Sequence, residues 1–280
     1  MISLKQRYIS STIQLILSFS MLIFPTLASA APAPKGIPFW DAHEESNIAV
    51  IDHSHWQSLL NRYLISPHQS GVNRFDYANV SALHKKQLNI YLSQLTSLDP
   101  RNYSRGEQKA YWINLYNALT VNLIINHYPV KTITKLGKGF FSFGPWDDVI
   151  TTIQEKELTL NDIEHGILRP IYKDNRIHYA VNCASYSCPN LSQTAYTSEN
   201  TEALLNAGAH DYVNHSRGVS FDNKQLRVSS IFHWYRVDFG DSDKALLDHL
   251  SLYAKPMLAK RLLSYKGEID HDYNWALNKP

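Results

Sequence analysis

The sequence predicts an α+β fold, mostly helical, with a small antiparallel or mixed sheet set around one central buried helix at 104–128. Residues 110–128 are apolar nearly all round the helical wheel, with Trp112, Ile113, Leu115, Tyr116, Leu119, Val121 and Ile124 among them, and a helix with no wet face belongs inside a fold. Shorter amphipathic helices recur on both sides of it, whereas strand signals are few and brief. No internal repeat or Gly/Ser linker divides residues 31–280, which are enough for one large domain.

The chain opens with Lys5 and Arg7 ahead of an apolar run at 13–24, too short to span a bilayer, followed by Ala28, Ser29 and Ala30. A charged start, a short apolar stretch and a small-residue triplet form the pattern of a cleaved secretory signal, so residues 1–30 are expected to direct export to the periplasm or medium. No cysteine follows the apolar run, and no stable membrane anchor is expected after cleavage. Residues 31–50, rich in Ala and Pro at their start, read as a flexible leader, and 51–280 as a single globular domain. The whole chain has 27 basic and 25 acidic residues. Lys5 and Arg7 are the only charges before position 31, so the rest carries 25 of each sign. That balance leaves no electrostatic footprint for nucleic acid.

Within the domain, Trp56, Leu59, Leu60 and Tyr63 fall at helical spacing in 55–64, and Leu83, Leu88, Tyr91, Leu92 and Leu95 do so in 81–95. A turn and short strand lie between them at 71–77. The central helix has Ser104 as N-cap with Glu107 three residues on, as in a capping box, and Pro129 stops it. Glu107, Asn114, Asn117 and Val121 share one stripe of it. Buried amides need partners, so Asn114 and Asn117 either orient a catalytic group or bind substrate, or else satisfy the backbone of a loop. The glycines at 137–144 lack the Gly-Lys-Ser/Thr ending of a phosphate loop, and Asp147 and Asp148 are too few oxygens to argue for a cation. A short helix at 160–169, ended by Pro170, carries the adjacent ionisable pair Glu164 and His165. Further helices are expected at 202–213, 231–239 and 245–262, with a hairpin at 218–228.

Both cysteines, Cys183 and Cys188, lie in the stretch 176–190. Residues 177–181 have the makeup of a buried strand that includes His178, and Ser, Pro and Asn then turn the chain into a tight loop. Four chemistries compete there. Export and a pair of cysteines favour a Cys183–Cys188 disulfide. Cys183 at a strand end is a candidate nucleophile of papain- or transglutaminase-like type, needing a histidine base. On a strand, His178 and Cys183 face opposite ways, which leaves His210, His215 and His233 as downstream candidates. A metal site from Cys183, Cys188, His178 and His165 lacks a second pair at zinc spacing, so neither metal nor cofactor is expected. Redox exchange lacks Cys-x-x-Cys. Independently of the thiols, His178 as acid or base, Glu164 as its orienter, and Asn114, Asn117, Asn182, Ser185 and His165 form a candidate polar pocket. The plainer alternative is a core histidine that hydrogen-bonds internally.

Four blocks together resemble the domain of unknown function 547 family: Tyr111-Trp-Ile-Asn-Leu-Tyr-Asn117, Leu158-Thr-Leu-Asn-Asp-Ile-Glu-His-Gly-Ile-Leu-Arg169, Ile177-His-Tyr-Ala-Val-Asn-Cys-Ala-Ser-Tyr-Ser-Cys-Pro189 and Ser230-Ile-Phe-His-Trp-Tyr-Arg-Val-Asp-Phe239. His178 and Ser185 fit the family pattern, and the resemblance implies no particular activity. Two functions are therefore expected to compete. One is an exported hydrolase or acyltransferase with its pocket at Asn114, Asn117, Glu164, His178 and Cys183. The other is a non-catalytic module, stapled by Cys183–Cys188, that binds a small molecule, peptide or envelope component.

Overall fold

The central helix, α3 (Arg105–His127), is the longest element, and seventeen of its residues are buried. Ser104 caps it by accepting from the Glu107 amide at 3.4 Å. The Glu107 carboxylate does not close the capping box but accepts from the Ile51 amide at 2.7 Å, tying the N-terminal segment to the helix. The computed structural model describes residues 34–139 and 142–280; the expected signal segment 1–30 lies outside them.

Helices α1 (Ser54–Tyr63) and α2 (Ala82–Ser97) precede α3, with the two-residue strands β1 (Leu64–Ile65) and β2 (Arg74–Phe75) paired antiparallel between them. A hairpin of β3 (Thr151–Ile153) and β4 (Lys156–Leu158) leads into the helical segment of Glu164. After α5 (Thr201–Val213), β5 (Val219–Asp222) and β6 (Gln225–Ser229) pair antiparallel. The last strand, β7 (Ile269–Asp272), adds parallel to β6, giving a mixed three-stranded sheet. Between β6 and β7 lie α6 (Ser230–Trp234), α7 (Asp243–Tyr253) and α8 (Pro256–Leu263). The architecture is α+β and mostly helical, as expected.

The apolar interior has two parts. One surrounds α3 with residues such as Trp56, Phe75, Tyr91, Trp112 and Ile163. The other joins the sheet to the C-terminal helices through Tyr212, Leu226, Phe232 and Leu250. The chain crosses between them at Tyr179, which packs in the second, and Ala180, which packs in the first. The candidate site lies at this crossing.

Local structure departs from the sequence-based expectations in four places. The stretch 177–181 is not a strand: Asn175–Tyr179 is a 3-10 helix and the chain runs on without regular structure to Cys183. The helix around Glu164 is a widened π-turn, Asp162–Leu168, and continues past Pro170 as α4 (Arg169–Tyr172). Proline is tolerated there because the His165 and Gly166 carbonyls, which an amide at 170 would otherwise meet, accept from outside the helix. Residues 35–40 are strapped onto that turn: Lys35 and Ile37 donate to the His165 and Gly166 carbonyls at 3.1 and 2.9 Å, and Trp40 is buried. This part of the expected leader is thus packed against the domain. Finally, the helices expected at 231–239 and 245–262 are each broken, the second at Pro256.

Candidate functional site: a thiol loop beside a buried ionic cluster

The cysteine loop is held from three sides. From α3, Asn117 donates to the Ala180 carbonyl at 2.9 Å and accepts from the Asn182 amide at 2.8 Å. Asn114 clamps a second loop in the same way, through both backbone groups of Tyr196. Inside the loop, Asn182 donates to the Pro189 carbonyl at 2.7 Å and accepts from the Ala184 amide at 2.9 Å, closing the turn on itself. From the C-terminus, residues 274–278 run alongside as a strap. Tyr186 and Ser187 donate to the Ala276 and Asn274 carbonyls, and Asn278 donates to that of Ala184. Ala184 is buried with φ +59°, a left-handed conformation uncommon for alanine. Strain of this kind persists only where surrounding bonds over-determine the backbone, as these clamps do.

Cys183 is half-buried, Cys188 is buried, and both are free thiols. Their sulfurs approach to 2.8 Å in a hydrogen-bond contact. Cys183 Sγ also meets Ser185 Oγ at 3.2 Å and the Tyr273 hydroxyl at 3.1 Å, and those two hydroxyls are 2.8 Å apart. Burial opposes ionisation of Cys183, but the bonds from Cys188, Ser185 and Tyr273 outweigh it and hold the thiol down at about 7. Burial and the neighbouring Cys183 push Cys188 up. The pair is thus asymmetric, a half-exposed thiol inclined to ionise beside a buried one that keeps its proton. Tyr273 packs on Trp275 and Trp234 at 4.5 and 4.9 Å, and Trp146 and Phe143 extend the group from Trp275, so an aromatic rim borders the loop.

A second cluster lies close by. His178 Nε2 is 2.6 Å from Asp238 Oδ2, and its Nδ1 is 3.5 Å from Glu164 Oε1. Arg169 Nε donates to the same Asp238 oxygen at 2.6 Å and its Nη1 to His165 Nδ1 at 3.1 Å. The Tyr235 ring stacks on His178 at 4.1 Å and receives the Arg169 guanidinium on a face at 5.0 Å. Burial alone would strip the proton from His178, yet the bonds to Asp238 and Glu164 raise its pKa. Burial would likewise raise both carboxyls, but their cationic neighbours hold Glu164 and Asp238 at about 2. His165 is pushed down, by burial first, and its Nδ1 accepts from Arg169. The cluster therefore sets the carboxylates of Glu164 and Asp238 against His178 and the Arg169 guanidinium.

The residues expected to share one pocket are thus divided. Glu164, His165 and His178 belong to the ionic cluster, Cys183, Cys188 and Ser185 to the thiol loop, and Asn114, Asn117 and Asn182 hold loop backbone. Both clusters influence Tyr116 and Tyr235, whose hydroxyls feel Glu164 and Cys183 alike. Both His178 nitrogens face carboxylates, and no histidine among the described residues hydrogen-bonds Cys183. His210 is exposed beside Asp211, His215 bonds the Ser70 carbonyl, and His233 stacks on His271. Among the described residues no group of three or more His, Cys, Asp and Glu is arranged to hold a metal ion, and no helix is long and apolar enough to cross a membrane. A cavity of about 450 Å³ lined by His53, Gln57, Thr194 and Asn200, among others, holds none of the candidate residues. The sequence reading missed Tyr273, Asp238, Arg169 and Tyr235; three of them stand in the quoted blocks 158–169 and 230–239, the one signal that pointed to them.

No curated protein and no solved structure is similar enough to match. The model of the family described as Protein of unknown function, DUF547, matches residues 100–213, from the approach to α3 through the ionic turn and the cysteine loop to the end of α5, and over that span the chain is similar to this family.

Proposed function

We propose that this protein is an exported thiol enzyme, a hydrolase or acyltransferase, in which Cys183 is the nucleophile. The observation that carries the reading is the set of groups that meet a half-exposed sulfur: the Ser185 and Tyr273 hydroxyls, each able to donate to it, and the sulfur of Cys188. A thiolate is the reactive form of cysteine, and here donors rather than a histidine favour it. The Cys183 thiolate attacks the carbonyl carbon of an acyl donor, a C–S bond forms, the bond from that carbon to the leaving group breaks, and the leaving group takes a proton from water. Water or another acceptor then cleaves the thioester, returns a proton to water and restores the thiolate. The aromatic rim at Trp234, Tyr273 and Trp275 supplies an apolar wall for a small-molecule, peptide or envelope substrate. Export rests on the signal-like segment 1–30.

A second reading has its own support. With the sulfurs 2.8 Å apart on one loop, oxidation in an exporting compartment would staple it, and the domain would bind a ligand without chemistry. Protein purified from its export compartment without reductant is alkylated before and after reduction, and the peptide bearing Cys183 and Cys188 is weighed. Two free thiols, with Cys183 alkylating well below pH 8, are expected. A linked pair in the resting protein overturns the thiol-enzyme reading in favour of the staple.

A further inference from the structure

Helix α8 packs by one face only. Leu258 and Leu262, four apart, join the second part of the interior. On the opposite side Met257, Lys260 and Leu263 recur every third residue; Met257 is 88% exposed and Leu263 56%. Leu252, in the last turn of α7, is 77% exposed. A single aliphatic side chain on a surface needs no explanation. Three of them on one short helix and the turn that leads into it do.

Charge is just as unevenly spread. From 249 to 267 the chain carries Lys255, Lys260, Arg261 and Lys266 and no acidic residue, whereas residues 31–280 as a whole balance. All four cations are exposed. Cations on adjoining elements are paired, Arg227 with Asp270, Arg236 with Asp243 and Lys244 with Asp248, but among the described residues none of these four forms an ion pair. Arg261 instead lies over the Phe221 ring, 3.7 Å from its centre. The C-terminal end of a helix favours a cation, which accounts for Lys260 and Arg261. It does not account for Lys255, the N-cap of α8, where the helix dipole repels a cation, nor for the aliphatic groups.

A nucleic acid would meet the four charges and leave Leu252, Met257 and Leu263 in water. An apolar protein groove would bury those three and strip water from Lys260 between them. A bilayer of anionic lipid satisfies both sets. Phosphates meet the cations, the aliphatic groups pass between headgroups, and the long Lys and Arg stems keep each charge at phosphate level. We infer that α8 and the turn before it are a reversible docking surface for an anionic phospholipid bilayer, entered by Leu252, Met257 and Leu263 and held by Lys255, Lys260, Arg261 and Lys266. This docking needs no spanning helix, and the described residues contain none. It is also independent of the thiol chemistry at Cys183.

The test is flotation of protein purified from its export compartment, on vesicles of phosphatidylglycerol mixed with phosphatidylcholine and on vesicles of phosphatidylcholine alone. The wild type is expected to float with the first and not with the second, and to be released by added salt. Lys260→Glu combined with Arg261→Glu reverses two charges and should weaken binding by about tenfold or more. Met257→Ser combined with Leu263→Ser keeps every charge and should weaken it roughly tenfold. Leu83→Ser, on the exposed side of α2, should bind as the wild type does. All these side chains are exposed, so the variants should fold, which circular dichroism checks. Every variant carries the same N-terminus, so residues 1–30 cannot account for a difference between them. Equal flotation on both kinds of vesicle, none on the anionic ones, or a glutamate or serine pair that floats like the wild type overturns the inference. A wild type that stays off the vesicles but sediments as a dimer, dispersed by the serine pair, also overturns it and gives the face to a second copy of the chain. None of these outcomes bears on the alkylation of Cys183, so this inference and the thiol-enzyme reading fail separately.

Discussion

The ionic cluster at His178 and the thiol loop at Cys183 are neighbours built on opposite plans. In the first, Asp238 binds both His178 and Arg169 through one oxygen, Glu164 faces the other His178 nitrogen, and each charge has a partner. In the second, a half-exposed sulfur meets two hydroxyls, burial pushes the neighbouring thiol up, and the nearby Arg217 leaves buried N–H groups without a partner. A closed set of charges has nothing left to offer a substrate, and its worth lies in tying the π-turn, the 175–179 turn and residue 238 together. An open set is where binding and chemistry have room to act. The difference teaches that a histidine that looks like an acid–base residue in sequence can have both ring nitrogens engaged by carboxylates.

The sharpest way to break that comparison is Asp238→Asn, which takes the carboxylate from Arg169 and His178 together. Removing one member of a buried ionic set costs about 3–5 kcal/mol, to be read as a lower urea midpoint. Because the clusters are separate, the pH profile of Cys183 alkylation should stay in place. A large shift in that profile would falsify the division into two plans.

Loosening the loop rather than the cluster comes next. Asn117→Ala leaves the Ala180 carbonyl and the Asn182 amide buried without a partner, at a cost of about 2–4 kcal/mol for the two groups. Asn114→Ala strips the same pair of bonds from Tyr196 and should cost a similar amount. Only Asn117→Ala should also disturb Cys183 reactivity, since only that amide holds the cysteine loop. Equal effects on the thiol from both variants would mean that the loop is organised by something else.

Titration sharpens the contrast further. Glu164 and Asp238 have folded pKa values of about 2, below their ordinary 4.5 and 3.8. Their contribution is therefore present above the ordinary values and is lost as pH falls toward 2. His178 is raised above its ordinary 6.5, so its contribution is full below 6.5 and is lost as pH rises through the folded value. Stability should accordingly peak between about pH 5 and 6.5 and fall on both sides. Urea unfolding across pH 3–9 checks this. A wild-type profile without the alkaline decline would show that His178 is not held as a cation.

Much of the frame is legible in the sequence because its signals are local. Ser104, the unbroken apolar run of α3 and Pro129 define the central helix, and the spacing of Asn114 and Asn117 foretells buried amides in need of partners. The stretch 177–181 misleads because β-branched and aromatic residues fill any buried turn, and here the Asn117 clamp, supplied by a distant helix, decides its path. The site resists reading for the same reason. His178 meets Asp238 from 60 positions away, and Cys183 meets Tyr273 from 90. Neither Tyr273 nor Arg217 carries a local mark, and they become visible only when the C-terminal strap and the turn before β5 are laid against the loop.

The finest cut is at Tyr273, the donor that the C-terminal strap brings to Cys183. Tyr273→Phe keeps the ring against Trp234 and Trp275 and removes one hydroxyl, which bonds Cys183 Sγ at 3.1 Å and Ser185 Oγ at 2.8 Å. Ser185 still reaches the sulfur, and the lost bond is on the scale of 1 kcal/mol or less in stability (roughly). A donor to a thiolate matters more to the charged form than to the neutral one, so the alkylation midpoint of Cys183 should rise by several tenths of a pH unit, up to about one. Stability and reactivity thus part company, in the reverse sense to Asp238→Asn. If Tyr273→Phe alkylates with the wild-type profile, the hydroxyl is only packing against the sulfur, and Ser185 is left to hold the thiolate.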